Sequence, residues 1–460
     1  MKHKFNYKYI LSMSMISALG GLLFGYDWVV IGGAKPFYER FFEITDIPML
    51  QGWAMGSALV GCILGAAFAG KITERTGRKK PLGLAALLFV ISAAGTGGFS
   101  DFYWFIVFRI LGGVGIGLAS TISPMYIAEI SPSMHRGRLV SLNQLAIVIG
   151  ILAAQIINYL IADPVPENTS DLTIVNSWNG QMAWRWMFWA ELVPALAFFI
   201  LIFVIPESPR WLSKNNRMEA SVKILSNIGG KEYAQQIQEE INETIRNVSN
   251  KMNIREIFSG ENKRFIIKGI ILAFLVQWCG INVVFNYAEE VFTSAGYGVS
   301  DALFYIILTG TVNLVFTLVA LRVVDKWGRR NLWLFGSLGL GASYVFIGLF
   351  YFLNLEGIVL VILVVVAIAI YATTLAPVFW VLVSEIFPNR IRGIALSLTT
   401  TAMWTAAFLL TYTFPIINKT MGTYGSFWTY CGICILCFVF VKSSIPETKN
   451  KTLEEIEKIL

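Results

Sequence analysis

The chain has 460 residues, of which 56% are hydrophobic and only 14% are charged. That is more apolar surface than a water-soluble globule can bury. The net charge of +7 raises the question of nucleic-acid binding, but the placement of the basic residues answers it differently.

In chain order, apolar runs fall near 10–34, 52–70, 81–99, 102–127, 139–162 and 184–205, and again near 265–288, 302–324, 331–353, 357–384, 394–418 and 424–445. About 20 apolar residues cross the hydrocarbon core of a bilayer. The runs therefore predict an all-α membrane protein with twelve transmembrane helices, numbered here as spans 1 to 12. The first run is too long for a signal-peptide core and lacks a small-residue cleavage site, so it is expected to stay as span 1. A first bundle at 1–205 and a second at 265–445 are joined by a polar linker at 206–264, expected to form short amphipathic helices. A tail follows at 446–460.

Basic residues gather on one side. Lys2 and Lys4 precede span 1; Lys71, Arg75, Arg78, Lys79 and Lys80 follow span 2; Arg322, Lys326, Arg329 and Arg330 follow span 8. The opposite loops, near 35–50, 161–183, 289–301 and 415–424, carry only Lys35, Arg40 and Lys419, against acids such as Asp163, Glu167, Asp171, Glu289 and Glu290. The positive-inside bias puts both termini and the linker in the cytoplasm of a multi-pass protein of the cell membrane. Topology thus accounts for the net charge, and no nucleic-acid partner is expected.

A pattern occurs twice. Glu129-Ile130-Ser131-Pro132 with Arg136-Gly137 matches Glu385-Ile386-Phe387-Pro388 with Arg392-Gly393. Gly77-Arg78-Lys79 and Gly328-Arg329-Arg330 precede the two copies, and Pro206-Glu207 and Pro446-Glu447 follow them. Three ordered markers in register imply two homologous six-helix halves, the construction of a rocking carrier.

Several polar groups lie inside apolar runs. Asp27 is in span 1 and Arg109 in span 4, and an unpaired charge there costs about 2.5–3.5 kcal/mol or more. A structural ion pair would answer that cost. A proton switch would also, because Arg stays charged and holds Asp27 only while the carboxyl is ionised. The second-half position equivalent to Arg109 is Val365, so the charge belongs to one half. Span 5 carries Gln144, Gln155 and Asn158 on one face, which is expected to look into a polar cavity. Gln277, Asn282 and Asn286 flank Gly280, where span 7 is expected to break. Asn313, Trp380 and Trp404 complete a set of amides and indoles suited to a neutral polyhydroxylated ligand. The Gly112, Gly113, Gly115, Gly117 stretch and the cysteines at 431, 434 and 437 are read as helix-packing residues; no nucleotide, metal or other cofactor is expected.

With these residues in hand, the chain resembles the sugar porters of the major facilitator superfamily. The resemblance rests on Phe24-Gly25-Tyr26-Asp27, Glu74-Arg75-Thr76-Gly77-Arg78-Lys79, Pro124-Met125-Tyr126-Ile127-Ala128-Glu129, Pro206-Glu207-Ser208-Pro209-Arg210, Gly280-Ile281-Asn282 and Pro446-Glu447-Thr448-Lys449. It implies alternating access between two six-helix halves, a monosaccharide and a proton as partners in the lipid bilayer, a monomer as the working unit, and no enzymatic activity. It puts sugar contacts at Gln144, Gln277, Asn282, Asn313, Trp380 and Trp404. It puts a cytoplasmic gate at Arg78, Glu129, Arg136, Arg329, Glu385 and Arg392. Bacterial proton–xylose symporters carry Asp where this chain has Asp27, whereas facilitative glucose carriers have an uncharged residue. The resemblance therefore implies proton-coupled import, with a facilitative uniporter or a non-transporting sugar sensor as alternatives. Val276, Asn286 and Met403 depart from the family's pocket pattern, which leaves the sugar open among pentoses, hexoses and inositol.

Overall fold

The computed structural model describes residues 5–166, 169–247, 260–355, 357–388 and 391–449. Lys2, His3, Lys4, Glu167, the linker segment 248–259 and the tail from 450 onward lie outside the described residues. Among the described residues the secondary structure is helical, without strands.

Among the described residues, eleven helices are long and apolar enough to cross a membrane. The last, Arg392–Ser444, has 53 residues. Unbroken, it would run about 80 Å, more than twice the hydrocarbon thickness. It departs from helical geometry at Gly422 (φ 72°, ψ 170°). The two pieces, 392–421 and 423–444, are spans 11 and 12, which brings the number to twelve. The others are Tyr7–Phe41, Pro48–Thr76, Lys79–Gly98, Phe102–Ile130, Arg136–Ile161, Asn179–Leu201, Asn262–Asn286, Val299–Val324, Arg329–Phe352 and Val359–Ile386. Local chemistry sets several starts. The Asp101 carboxylate accepts from the N–H groups of Tyr103 and Trp104 at the head of span 4, and Pro48 opens span 2. Each meets an otherwise unsatisfied first turn.

Two expectations need correction. Lys35 and Arg40 are not in a loop: span 1 continues to Phe41 and buries Lys35. Glu289 and Glu290 likewise belong to a helix, Ala288–Thr293, that follows span 7 directly. Apolar runs end at the first charge, but these charges meet one another and need no water. The span 5 stripe also divides. Asn158 donates to the Val30 carbonyl at 3.0 Å and so binds span 5 to span 1 within its own half. Gln155 instead lies against Gly310 of span 8, across the seam between halves.

The linker forms Pro209–Lys214 and Met218–Asn247, the latter interrupted at Gly230. Its inner face buries Ser213, Ser221 and Gln238, which bond among themselves (Ser213 to Ser221 2.9 Å, Ser221 to Gln238 2.8 Å). Gly113 and Gly117 press against Ala58 and Cys62 of span 2, a helix contact. Cys437 accepts from the Trp333 indole at 3.0 Å inside the span 9–span 12 packing.

Candidate functional site

Asp27 and Arg109 meet. Arg109 donates from its terminal guanidinium nitrogen to Asp27 Oδ1, and the two residues are only 1% and 2% exposed. Asp27 Oδ2 and Arg109 Nε have no hydrogen-bond partner among the described residues. A Cβ on Gly112 would lie 3.0 Å from Asp27 Oδ2, so the glycine leaves the carboxylate its room. The guanidinium also sits 5.6 Å from the centre of the Phe188 ring in span 6. One turn further along that span is Glu191, 1% exposed, whose charge interacts with both Asp27 and Arg109. Its Oε1 has no partner among the described residues. A second buried carboxyl thus lies near the pair, while the guanidinium bonds Asp27 alone. The sequence reading missed Glu191, although an acid inside the 184–205 run carries the same signal that singled out Asp27.

Span 7 breaks where expected. Gly280 takes φ 86°, a left-handed conformation that glycine adopts without Cβ strain, and a short helix, Ile281–Asn286, starts anew after it. The break lets Asn282 donate to the Gln277 side-chain oxygen. Both are buried, as are Asn313, Asn286 and Trp404. Asn286 Oδ1 and Trp404 Nε1 have no partner among the described residues. Trp404 of span 11 packs on Phe24 and Trp28 (ring centres 5.5 and 5.8 Å apart), the residues that flank Asp27 on span 1. A small cavity beside this contact is lined by Trp28, Met55, Cys62, Arg109 and Asn286, among others. It draws on both halves and reaches the charged pair. None of the six residues expected to contact sugar lines it. Gln144 is half-buried, and Trp380 is 44% exposed with its ring against Phe379.

The repeated markers meet within each half. Arg78 pairs with Glu129 at 2.7 Å, and Arg329 with Glu385 at 3.2 Å. Behind each pair a second carboxylate closes a helix start. Glu207 accepts from the backbone N–H groups of Arg78 (2.7 Å) and Lys79 (3.2 Å) at span 3. Glu447 accepts from those of Arg329 (2.9 Å) and Arg330 (3.1 Å) at span 9. Negative charge at a helix N-terminus satisfies orphan donors and complements the dipole. Gly77 and Gly328 take φ 88° and 86°, and a Cβ on either would collide with the capping carboxylate. The copies differ at the second arginine: Arg392 donates to the Phe387 carbonyl at 3.1 Å, while Arg136 stands exposed at the head of span 5.

Comparison with known proteins follows the same lines. Residues 13–460 match the profile of the family described as "Sugar (and other) transporter". The chain is 38% identical to the D-xylose-proton symporter of Escherichia coli (strain K12), over 100% of this chain and 97% of that protein. It is 34% identical to the arabinose-proton symporter of Bacillus subtilis (strain 168), over 98% of this chain and 95% of that one. Its fold superposes on the inward open conformation of the xylose transporter XylE from E. coli with a TM-score of 0.85, at 37% identity, covering 98% of this chain and 100% of the other. The chain belongs to the sugar-transporter family of the major facilitator superfamily.

Proposed function

We propose that the protein imports a monosaccharide together with a proton by alternating access, as a monomer in the cell membrane with both termini in the cytoplasm. The observation that carries this reading is the buried Asp27–Arg109 pair, with Glu191 beside it, opening onto a cavity that the second half completes through Asn286. Here Asp27 Oδ2 and Glu191 Oε1 are free of partners among the described residues, which leaves atoms for a proton to occupy.

Protonation of Asp27 removes the charge that Arg109 holds, and so loosens span 1 from span 4. The aromatic residues beside Asp27, Phe24 and Trp28, pass that change to Trp404 in the other half. Sugar hydroxyls are taken by the break in span 7 and its neighbours: Gln277, Asn282, Asn313 and Trp404, with Gln144 and Trp380 at the margins. Asn286, a departure from the family's pocket pattern, adds a further amide. Arg78, Glu129, Arg136, Arg329, Glu385 and Arg392 form the cytoplasmic gate. One proton moving down 100 mV and one pH unit supplies about 2.3 plus about 1.4 kcal/mol, enough for roughly 500-fold accumulation.

The test is Asp27→Asn in proteoliposomes. Uphill, protonophore-sensitive uptake of labelled xylose or arabinose should disappear while counterflow of the same sugar persists. Normal accumulation by this variant overturns the coupling assignment.

A further inference from the structure

The basic residues of the repeated markers sit at one end of the bundle. At the other end, the buried ammonium of Lys35 joins the two halves. Lys35, near the end of span 1, lies 3.3 Å from Glu39 on its own helix. It also lies 3.0 Å from Glu290 and 3.9 Å from Glu289, both on the short helix after span 7. The Lys35, Glu39 and Glu289 side chains are 6%, 4% and 9% exposed, and Glu290 is 23%. Neighbouring helices hold the carboxylates in turn. Gln51 of span 2 donates to Glu39 at 3.1 Å, and Asn418 of span 11 donates to Glu290 at 2.6 Å. Two further contacts cross the seam at this end: Lys419 to the Asp46 carbonyl at 3.3 Å, and the Val165 N–H to Ser300 at 2.9 Å.

We infer that Lys35 with Glu289 and Glu290 is an ionic latch that closes the carrier to the outside. The inference rests on the alternating-access reading. Three observations converge on it. The partners come from opposite halves, so the contacts must part when the outer mouth opens. Lys35 and Glu289 are desolvated and Glu290 is partly so, so parting is costly unless water enters, and removing the buried cation has a large effect. The structure that holds them formed superposes on inward open carriers with TM-scores of 0.84 and 0.85, and on a sugar-bound one with 0.80. The latch also touches the substrate side of the molecule. The Lys35 ammonium lies 5.8 Å from the centre of the Tyr287 ring, and Tyr287 follows Asn286 directly and donates to the Thr411 carbonyl of span 11 at 2.7 Å. Closure outside and the set of the broken span 7 are thereby one movement. By contrast, Arg78–Glu129 and Arg329–Glu385 each stay within one half.

The latch can be read as a distance. Spin labels at Thr45→Cys and Ser294→Cys, both exposed beyond the outer ends of spans 1 and 7, report the outer mouth in the full chain, with its five native cysteines changed to alanine, in proteoliposomes without sugar. Lys35→Gln should raise the ratio of long to short distances by on the order of tenfold or more. Glu290→Gln, a milder change at a partly exposed side chain, should shift it in the same direction. The double variant should shift it little beyond the larger single effect, because both changes break one contact. Lys35→Arg, which keeps the positive charge among Glu39, Glu289 and Glu290, should retain the short distance that Lys35→Gln loses. Unchanged distances in both single variants, or additive shifts in the double, overturn the latch. Counterflow by the unaltered chain tests the transport reading separately, since the distances need no sugar.

Discussion

Replacing Arg109 by Gln removes the buried cation that pairs with Asp27 and lies near Glu191. Both members of the Arg109–Asp27 pair are at most 2% exposed, so solvent screening takes little from the interaction. Deleting one partner of such a pair costs about 3–5 kcal/mol when the other stays ionised, a factor on the order of 10² to 10⁴ in the population that keeps the charge. The carboxyls escape that cost by holding their protons. Arg109→Gln should therefore fix Asp27 in its protonated form. Sugar-evoked alkalinisation outside the vesicles, followed with a pH-sensitive dye, should vanish, while labelled sugar still exchanges in counterflow. Purified Arg109→Gln should also unfold at a lower temperature than the unaltered protein. Adding Asp27→Asn should return part of that loss, since the second change removes one of the carboxyls the first left stranded. Alkalinisation that survives Arg109→Gln, or stability losses that simply add, would show that the two residues do not act as a pair.

Glu191→Gln should lower uphill uptake without abolishing counterflow; unchanged accumulation at equal expression would reduce Glu191 to a packing residue. Glu207→Ala and Glu447→Ala should each destabilise by about 1–2 kcal/mol through loss of a helix cap, seen as lower unfolding temperatures of similar size. A large effect in one copy and none in the other would mean that the two halves do not use the repeated carboxylate alike.

The sequence made the spans legible because a bilayer asks one simple thing of a helix, about 20 apolar residues. It made the break at Gly280 legible too, because only glycine accepts φ 86° at no steric cost, and polar residues crowd around it. Most of what it hid follows from one assumption, that a charge marks the end of a span. Under that assumption Lys35, Glu289 and Glu290 fell into loops; Glu191, inside a run, went unremarked for a different reason, since the sequence shows no partner for it. The assumption fails wherever charges are one another's solvent. Which charges pair depends on contacts between distant segments, and no window along the chain contains both Lys35 and Glu290.

The same contrast sharpens what the repeat means. Where the halves match in sequence they also match in bonding: Glu207 and Glu447 cap equivalent helices, and Arg78–Glu129 and Arg329–Glu385 are equivalent pairs. These contacts lie within halves, so each half can move as a unit without breaking them. The buried charges near the seam are placed differently. Asp27, Arg109 and Glu191 occupy the first half only, beside a cavity that the second half completes, and Lys35 reaches across to Glu290. A carrier built from two rigid halves needs its symmetric bonds to keep each half intact. It needs its asymmetric ones where a proton, or a change of side, must alter how the halves meet.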